Sequence, residues 1–216
     1  MKHEKYLATL VSICFVSYFM MFNISMTAEA KDMPVSKNLS KSDSVVYILK
    51  DTYIQDQKLI EYAKNLTNLS YEECSFMLEE CKKSHIDPFV ILGLMKRESN
   101  FDQYAVGQAG ERGLGQLMES TANIVAENLG YDHNPENLFN PKYNIKLTIS
   151  QLSYLYNLYE KDINKALTAY NRGQQGLSEY MKEKRSPYKN LAMSEYSAQI
   201  LDYTNEFKEE FVKYKN

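Results

Sequence analysis

Apolar residues recur at Val46, Leu49, Tyr53, Ile60, Ala63 and Leu66, the three-and-four spacing that gathers side chains on one face of an α-helix. The pattern predicts an amphipathic helix there, preceded by a polar linker from Lys31 to Ser42. Ser70, with Glu73 three residues on, is the capping-box signature of a second helix. Asp87-Pro88 gives an N-cap followed by proline in the first turn of a third. A fourth fits Ser120 to Leu129 and stops at Gly130. Asn140-Pro141 opens a long helix through Tyr159, and a shorter one runs from Ile163 to near Gly173. Ser194 opens the last, whose inward face is Tyr196, Ile200, Tyr203, Phe207 and Phe211. No alternating run is long enough for a sheet and no internal repeat is visible, so the expected fold class is all-α.

The first thirty residues carry a different pattern. Lys2 and Lys5 precede an uncharged apolar run from Tyr6 to Ile24, and Ala28-Glu29-Ala30 is an A-x-A cleavage signature. Such an export element places the rest of the chain outside the cytoplasm, either secreted or anchored to the outer face of the cytoplasmic membrane. The A-x-A signature favours cleavage after Ala30. The length of the run, close to the ~20 residues that span a bilayer, keeps an uncleaved anchor as the alternative and makes it the chain's only route to a membrane. Cys14, preceded by Ile13, lacks the small neighbour of a lipid-attachment site. The expected organisation is a signal peptide or N-terminal membrane anchor over 1–30, a linker and accessory helix over 31–69, and one domain over 70–216.

Composition narrows the function classes. The formal net charge is −3, and removing residues 1–30 leaves it unchanged because Lys2 and Lys5 offset Glu4 and Glu29. A nucleic-acid partner, which calls for a basic stripe, is therefore not expected. A mature chain of this size buries roughly 70% of its unfolded surface, enough for one self-sufficient core. Cys74 and Cys81 on one continuous helix would have Cα atoms ~10 Å apart, beyond the ~7 Å a disulfide bridges, so they read as buried thiols. His85 and His133 are isolated near turns, and no metal site or cofactor is expected.

The segment from Lys96 to Ala122, KRESNFDQYAVGQAGERGLGQLMESTA, carries the candidate chemistry. Glu98 shares its helix face with Met95, Leu94 and Ile91, so its carboxyl points into apolar surroundings. Burial raises the pKa of a carboxyl, and the partial negative charge of the helix C-terminus acts in the same direction. An acid held protonated near neutral pH is what a glycosidase uses as its proton donor. The alternative is a surface residue neutralised by Arg97. Gly107, Gly110, Gly113 and Gly115 follow within nine residues, as in a loop whose backbone a bulky ligand approaches closely.

ESNFD, then AV, then AG.RGLGQLM.STA, and much later AYNRG, together resemble the soluble lytic transglycosylase (SLT) domain family of the lysozyme-like superfamily. The resemblance runs from about Tyr71 to about Tyr214. It implies the helical fold shared with goose-type lysozyme, peptidoglycan glycan strands as substrate, and cell-envelope machinery as a possible setting. It makes Glu98 the catalytic residue. Ser99, Gln116, Met118, Tyr170, Asn171 and Tyr196 match positions along the substrate groove, the Tyr196 hydroxyl pointing at the acid. Taken alone, Tyr170 and Tyr196 read as core, Gln116 as a loop-capping amide, and Ser99 as a residue that either orients substrate or caps the helix end. The chain departs from the family where Gly115 replaces a more usual Met, Glu119 a Pro and Arg172 an Ala. The latter two change the charge expected along the groove.

Conventional glycosidases use two carboxylates, ~5 to 9.5 Å apart. Asp102, Glu111 and Glu119 are near in sequence, but Glu111 and Glu119 fall at unmatched positions of the motifs, and the resemblance gives Asp102, the last residue of ESNFD, no catalytic role. The resemblance instead implies one acid with two tasks: non-hydrolytic cleavage of the β-1,4 bond between N-acetylmuramic acid and N-acetylglucosamine, giving 1,6-anhydromuramic ends. The alternatives are a goose-type-lysozyme-like muramidase that hydrolyses the same bond, and a non-catalytic peptidoglycan-binding module of an envelope assembly.

Overall fold

The computed structural model describes residues 41–184 and 186–215. The export segment and its cleavage signature lie outside them. The regular structure of the described part is helical: α1 (Lys41–Thr67), α2 (Tyr71–Ser84), α3 (Pro88–Ser99), α4 (Glu119–Asn128), a 3-10 turn (Pro135–Phe139), α5 (Pro141–Leu158), α6 (Ile163–Lys182) and α7 (Glu195–Tyr214). Among the described residues the only β pairing is a pair of isolated bridges, as an all-α fold requires. The compact unit holding the candidate site is Leu49–Asn216.

Local capping chemistry sets where the helices start. Ser70 and Glu73 form the reciprocal capping box of α2, and Asp87 accepts from the Phe89 N–H at 2.9 Å with Pro88 in the first turn of α3. Asn140 and Ser194 cap α5 and α7 in the same way. Each side-chain acceptor satisfies a backbone donor that the first helical turn leaves open.

Helix α3 is the axis of the core. Val90 to Met95 are all buried, the signature of a helix enclosed on every side. It lies closely against α7 at Gly93, where a Cβ would sit 2.7 Å from the Ile200 carbonyl oxygen. This close crossing explains a glycine in a helix interior, where it otherwise costs about 1 kcal/mol relative to alanine. The predicted inward face of α7 is realised: Tyr196, Ile200, Phe207 and Phe211 are buried, and Tyr203 stacks on Phe207 at 6.1 Å.

Of the apolar face predicted for α1, Ile60 and Ala63 lie in the main core beside Leu59 and Tyr62, and Leu66 packs against it, whereas Val46, Leu49 and Tyr53 are exposed. Tyr62 meets the rings of Phe89 and Phe211 and donates to Glu210 Oε2 at 2.8 Å. Cys74 and Cys81 are free, buried thiols, as their spacing predicts. A second, smaller core joins Leu117, Ala122, Val125, Ala126, Leu138 and Leu147, and Tyr170 packs against both cores. Helix α6 breaks at Gly173 (φ 72, ψ 168), where the sequence pattern ends it, and resumes to Lys182.

Candidate active site

Glu98 lies in the last turn of α3, and Ile91, Leu94 and Met95 on its own face are fully buried. The Tyr196 hydroxyl, brought in by the first turn of α7, donates to Glu98 Oε1. Burial is the dominant influence on the carboxyl and holds its pKa above the usual value. The Tyr196 hydrogen bond and the Arg97 guanidinium pull it down by less, and the Glu111 carboxylate adds to the rise. Arg97 does not neutralise the acid. Its Nε donates to Gln199 Oε1 at 2.7 Å, and its guanidinium lies 5.6 Å from the centre of the Tyr196 ring. Glu98 is thus biased toward its protonated form, as its helix position suggests.

The chain between α3 and α4 is irregular but firmly held. Asn100 and Phe101 turn it away from the helix with φ of 51° and 67°. Single bridges then pair Val106 with Arg112 and Arg112 with Leu117. The anchor is Asn144 on α5, fully buried. Its Oδ1 accepts from the Gly115 N–H at 2.8 Å, while its Nδ2 donates to the carbonyls of Arg112 (3.0 Å) and Leu138 (2.9 Å). The Tyr170 hydroxyl donates to the Gly115 carbonyl at 2.9 Å, so α5 and α6 hold the two sides of one peptide segment.

The glycines therefore serve a purpose that their sequence density does not reveal. A Cβ on Gly113 would lie 2.2 Å from the Leu138 carbonyl oxygen, and one on Gly115 2.0 Å from Thr148 Oγ1. Both residues are glycine because α5 and the turn before it occupy the space, and no ligand approach is needed to explain them. Gly107 is the member of the four that lines the cleft.

That cleft has a volume of about 310 Å³, and its walls include Glu98, Glu111, Gln116, Met118, Tyr170 and Asn171. Five of the seven residues singled out in the sequence line it, and Tyr196 reaches it through Glu98. Ser99 does not: its hydroxyl is directed at the carbonyls of Met95 (3.1 Å) and Leu114 (2.9 Å), which ties the loop to the end of α3. Gln116 combines both of its readings. Its Nε2 donates to the Ala105 and Gly113 carbonyls at 3.0 and 2.9 Å while the residue forms part of the wall. Asn171 is exposed at the end of the first segment of α6. Glu119 and Arg172 do not line the cleft, although each adjoins a residue that does, Met118 and Asn171. Arg172 instead lies over the Tyr180 ring at 4.9 Å.

Residues 75–193 match the family described as the transglycosylase SLT domain. Over 152 residues the chain is 30% identical to the membrane-bound lytic murein transglycosylase C of Photorhabdus laumondii, covering 66% of this chain and 41% of that protein. The structure superposes on the 70 kDa soluble lytic transglycosylase SLT70 of Escherichia coli with a TM-score of 0.57 at 19% identity, over 81% of this chain and 31% of that one. It superposes on an inactive mutant of the lytic transglycosylase Slt of Pseudomonas aeruginosa with a TM-score of 0.55 at 22% identity, over 63% and 24%. The chain thus spans less than half the length of these relatives, and the two superpositions identify the fold as that of an SLT domain.

Proposed function

We propose that this chain, which belongs to the transglycosylase SLT domain family, is a peptidoglycan lytic transglycosylase whose catalytic domain is residues 70–216 and which works outside the cytoplasm. The observation that carries the reading is Glu98: a desolvated carboxyl with a raised pKa, hydrogen-bonded by Tyr196 and opening onto a cleft.

In this reading the glycan strand lies along the cleft, with Gln116, Met118, Tyr170 and Asn171 as its contacts. Glu98 donates its proton to the glycosidic oxygen between N-acetylmuramic acid and N-acetylglucosamine as the bond from C1 breaks. The acetamido group of the muramic sugar stabilises the positive charge at C1. The Glu98 carboxylate then accepts the proton of the muramic C6 hydroxyl as that oxygen bonds to C1, which restores the acid and closes the 1,6-anhydro ring. Tyr196 steadies the carboxylate between the two transfers, since a hydroxyl donor favours the charged form.

A second reading, hydrolysis of the same bond, requires a carboxylate to activate water. Of the three nearby acids only Glu111 lines the cleft, and it keeps that reading in view. A binding module has no use for a proton donor biased toward its acid form. Glu98→Gln retains shape but cannot deliver the proton, so it should bind sacculi and clear them slower by orders of magnitude. Clearing near the wild-type rate would sink the assignment.

A further inference from the structure

Glu111 is a carboxylate in the cleft that the one-acid reading leaves without a task. Its seat is specific. The turn is closed by the Gly107 N–H to the Glu111 carbonyl (2.8 Å) and the Gly110 N–H to the Gly107 carbonyl (3.1 Å), and the Ala109 N–H donates to Glu111 Oε2 at 3.0 Å. A Cβ on Gly107 would fall 2.2 Å from Glu111 Oε2 and 2.9 Å from Gln116 Oε1. The missing side chain at 107 is what lets this carboxylate lie in the wall beside Gln116. Arg112, the next residue in the chain, pairs with Glu136 at 3.1 Å and lies over the Phe139 ring. No ion pair involves Glu111 among the described residues.

Resting on the transglycosylase reading, we propose that Glu111 is a positioning residue: held in the wall of the cleft that Glu98 also lines, its negative charge adds to the effect of burial in keeping the proton on Glu98 until the glycosidic oxygen takes it. Like charges that face one cleft repel, so the Glu111 carboxylate disfavours a second negative charge on Glu98. The Ala109 N–H fixes the Glu111 carboxylate in the wall, and burial already disfavours the charged form of Glu98. The groups facing Glu98 are Arg97 on its own helix, Tyr196 from α7, Tyr170 from α6 and Glu111 from the loop. Arg97 and the Tyr196 hydroxyl favour the carboxylate, whereas burial and Glu111 favour the acid. Once the proton has left, the same repulsion makes the Glu98 carboxylate a stronger base toward the C6 hydroxyl.

The test is the pH–rate profile of sacculus clearing for wild type, Glu111→Gln and Glu111→Asp, with the Glu98 carboxyl followed by NMR titration in each. Loss of the charge lowers the Glu98 pKa. The alkaline limb of Glu111→Gln should therefore move to lower pH, its activity relative to wild type falling by up to tenfold per pH unit of displacement, with unchanged products. Glu111→Asp, which keeps the charge, should hold the limb nearer the wild-type position. Should Glu111→Gln not fold, Glu111→Ala removes the same charge, and the NMR titration reads the shift without activity. An unmoved limb and Glu98 titration in a folded variant would overturn the proposal, as would a pH-independent loss with solvent oxygen in the wild-type product. A Glu98→Gln control that still cleaves would instead bring down the underlying reading. An inactive Glu98→Gln with an unmoved Glu111→Gln limb removes this proposal alone.

Discussion

Gly115→Ala tests whether the loop is held by protein packing. The new Cβ would lie 2.0 Å from Thr148 Oγ1 and 2.9 Å from its Cγ2. To reach an ordinary contact of 3.4 Å the backbone must withdraw by about 1.4 Å, the difference between 3.4 and 2.0 Å. That movement breaks the 2.8 Å bond to Asn144 and the 2.9 Å bond from Tyr170. Two lost hydrogen bonds cost about 0.5–1.5 kcal/mol each and the overpacking about 1–3 kcal/mol, roughly 2–6 kcal/mol together. In a domain of this size the melting temperature should drop by about 5–20 °C. Sacculus clearing should fall with it, since Gln116 and the Tyr170 hydroxyl move with the loop. Thermal melts of Gly115→Ala, Thr148→Gly and the double variant separate the terms. Thr148→Gly has a cost of its own, since it removes a buried side chain that donates to Asn144 Oδ1 at 3.3 Å, and its single-variant melt measures that cost. Adding Gly115→Ala to it should then cost at least about 1 kcal/mol less than in the wild type. A single Gly115→Ala variant melting within a degree or two of wild type would refute the packing account of this glycine.

Two further outcomes follow from buried charges. Tyr196→Phe removes a donor that favours the Glu98 carboxylate, so the Glu98 pKa rises further, the alkaline limb of activity moves to higher pH, and the rate falls about tenfold or more, the worth of a hydrogen bond to a charged group; a limb displaced to lower pH contradicts this sign. Burial of Glu80 (4% exposed) opposes its ionisation, but hydrogen bonds and charge from Lys146 and Lys83 outweigh it and hold its pKa below the ordinary Glu value. The stability it contributes is therefore present above the unfolded Glu pKa and lost as pH falls through the folded one. Glu80→Gln should cost about 3 kcal/mol at neutral pH, toward the low end for a broken buried pair, with the deficit shrinking in acid; denaturant melts at two pH values check it.

Helix starts were legible because their causes are local: Ser70, Asp87, Asn140 and Ser194 cap the turn that follows them in sequence. The environment of Glu98 was legible for the same reason, its apolar neighbours lying within two turns. Tyr196 required the family resemblance, because its hydroxyl meets a residue 98 positions away across a helix crossing that periodicity alone does not specify. Asn144 was missed. Its partners lie up to 32 residues back in the chain, and an asparagine near a helix start reads as surface. The available signal was its register: Asn144 and Thr148 share the stripe of Leu152 and Leu155 on the buried face of α5, and polar residues in an apolar stripe announce a buried network. The glycines misled because density alone does not say whether a ligand or a neighbouring helix requires the space.

The most direct measurement of the central claim is mass spectrometry of muropeptides released from purified sacculi in heavy-oxygen water. With Glu98 serving as both acid and base and the C6 hydroxyl as nucleophile, each new muramic end should be a 1,6-anhydro terminus, lighter by one water than a hydrolytic product and free of label. Reducing muramic ends that carry the heavy oxygen in most products would contradict the account and assign the cleft to hydrolysis.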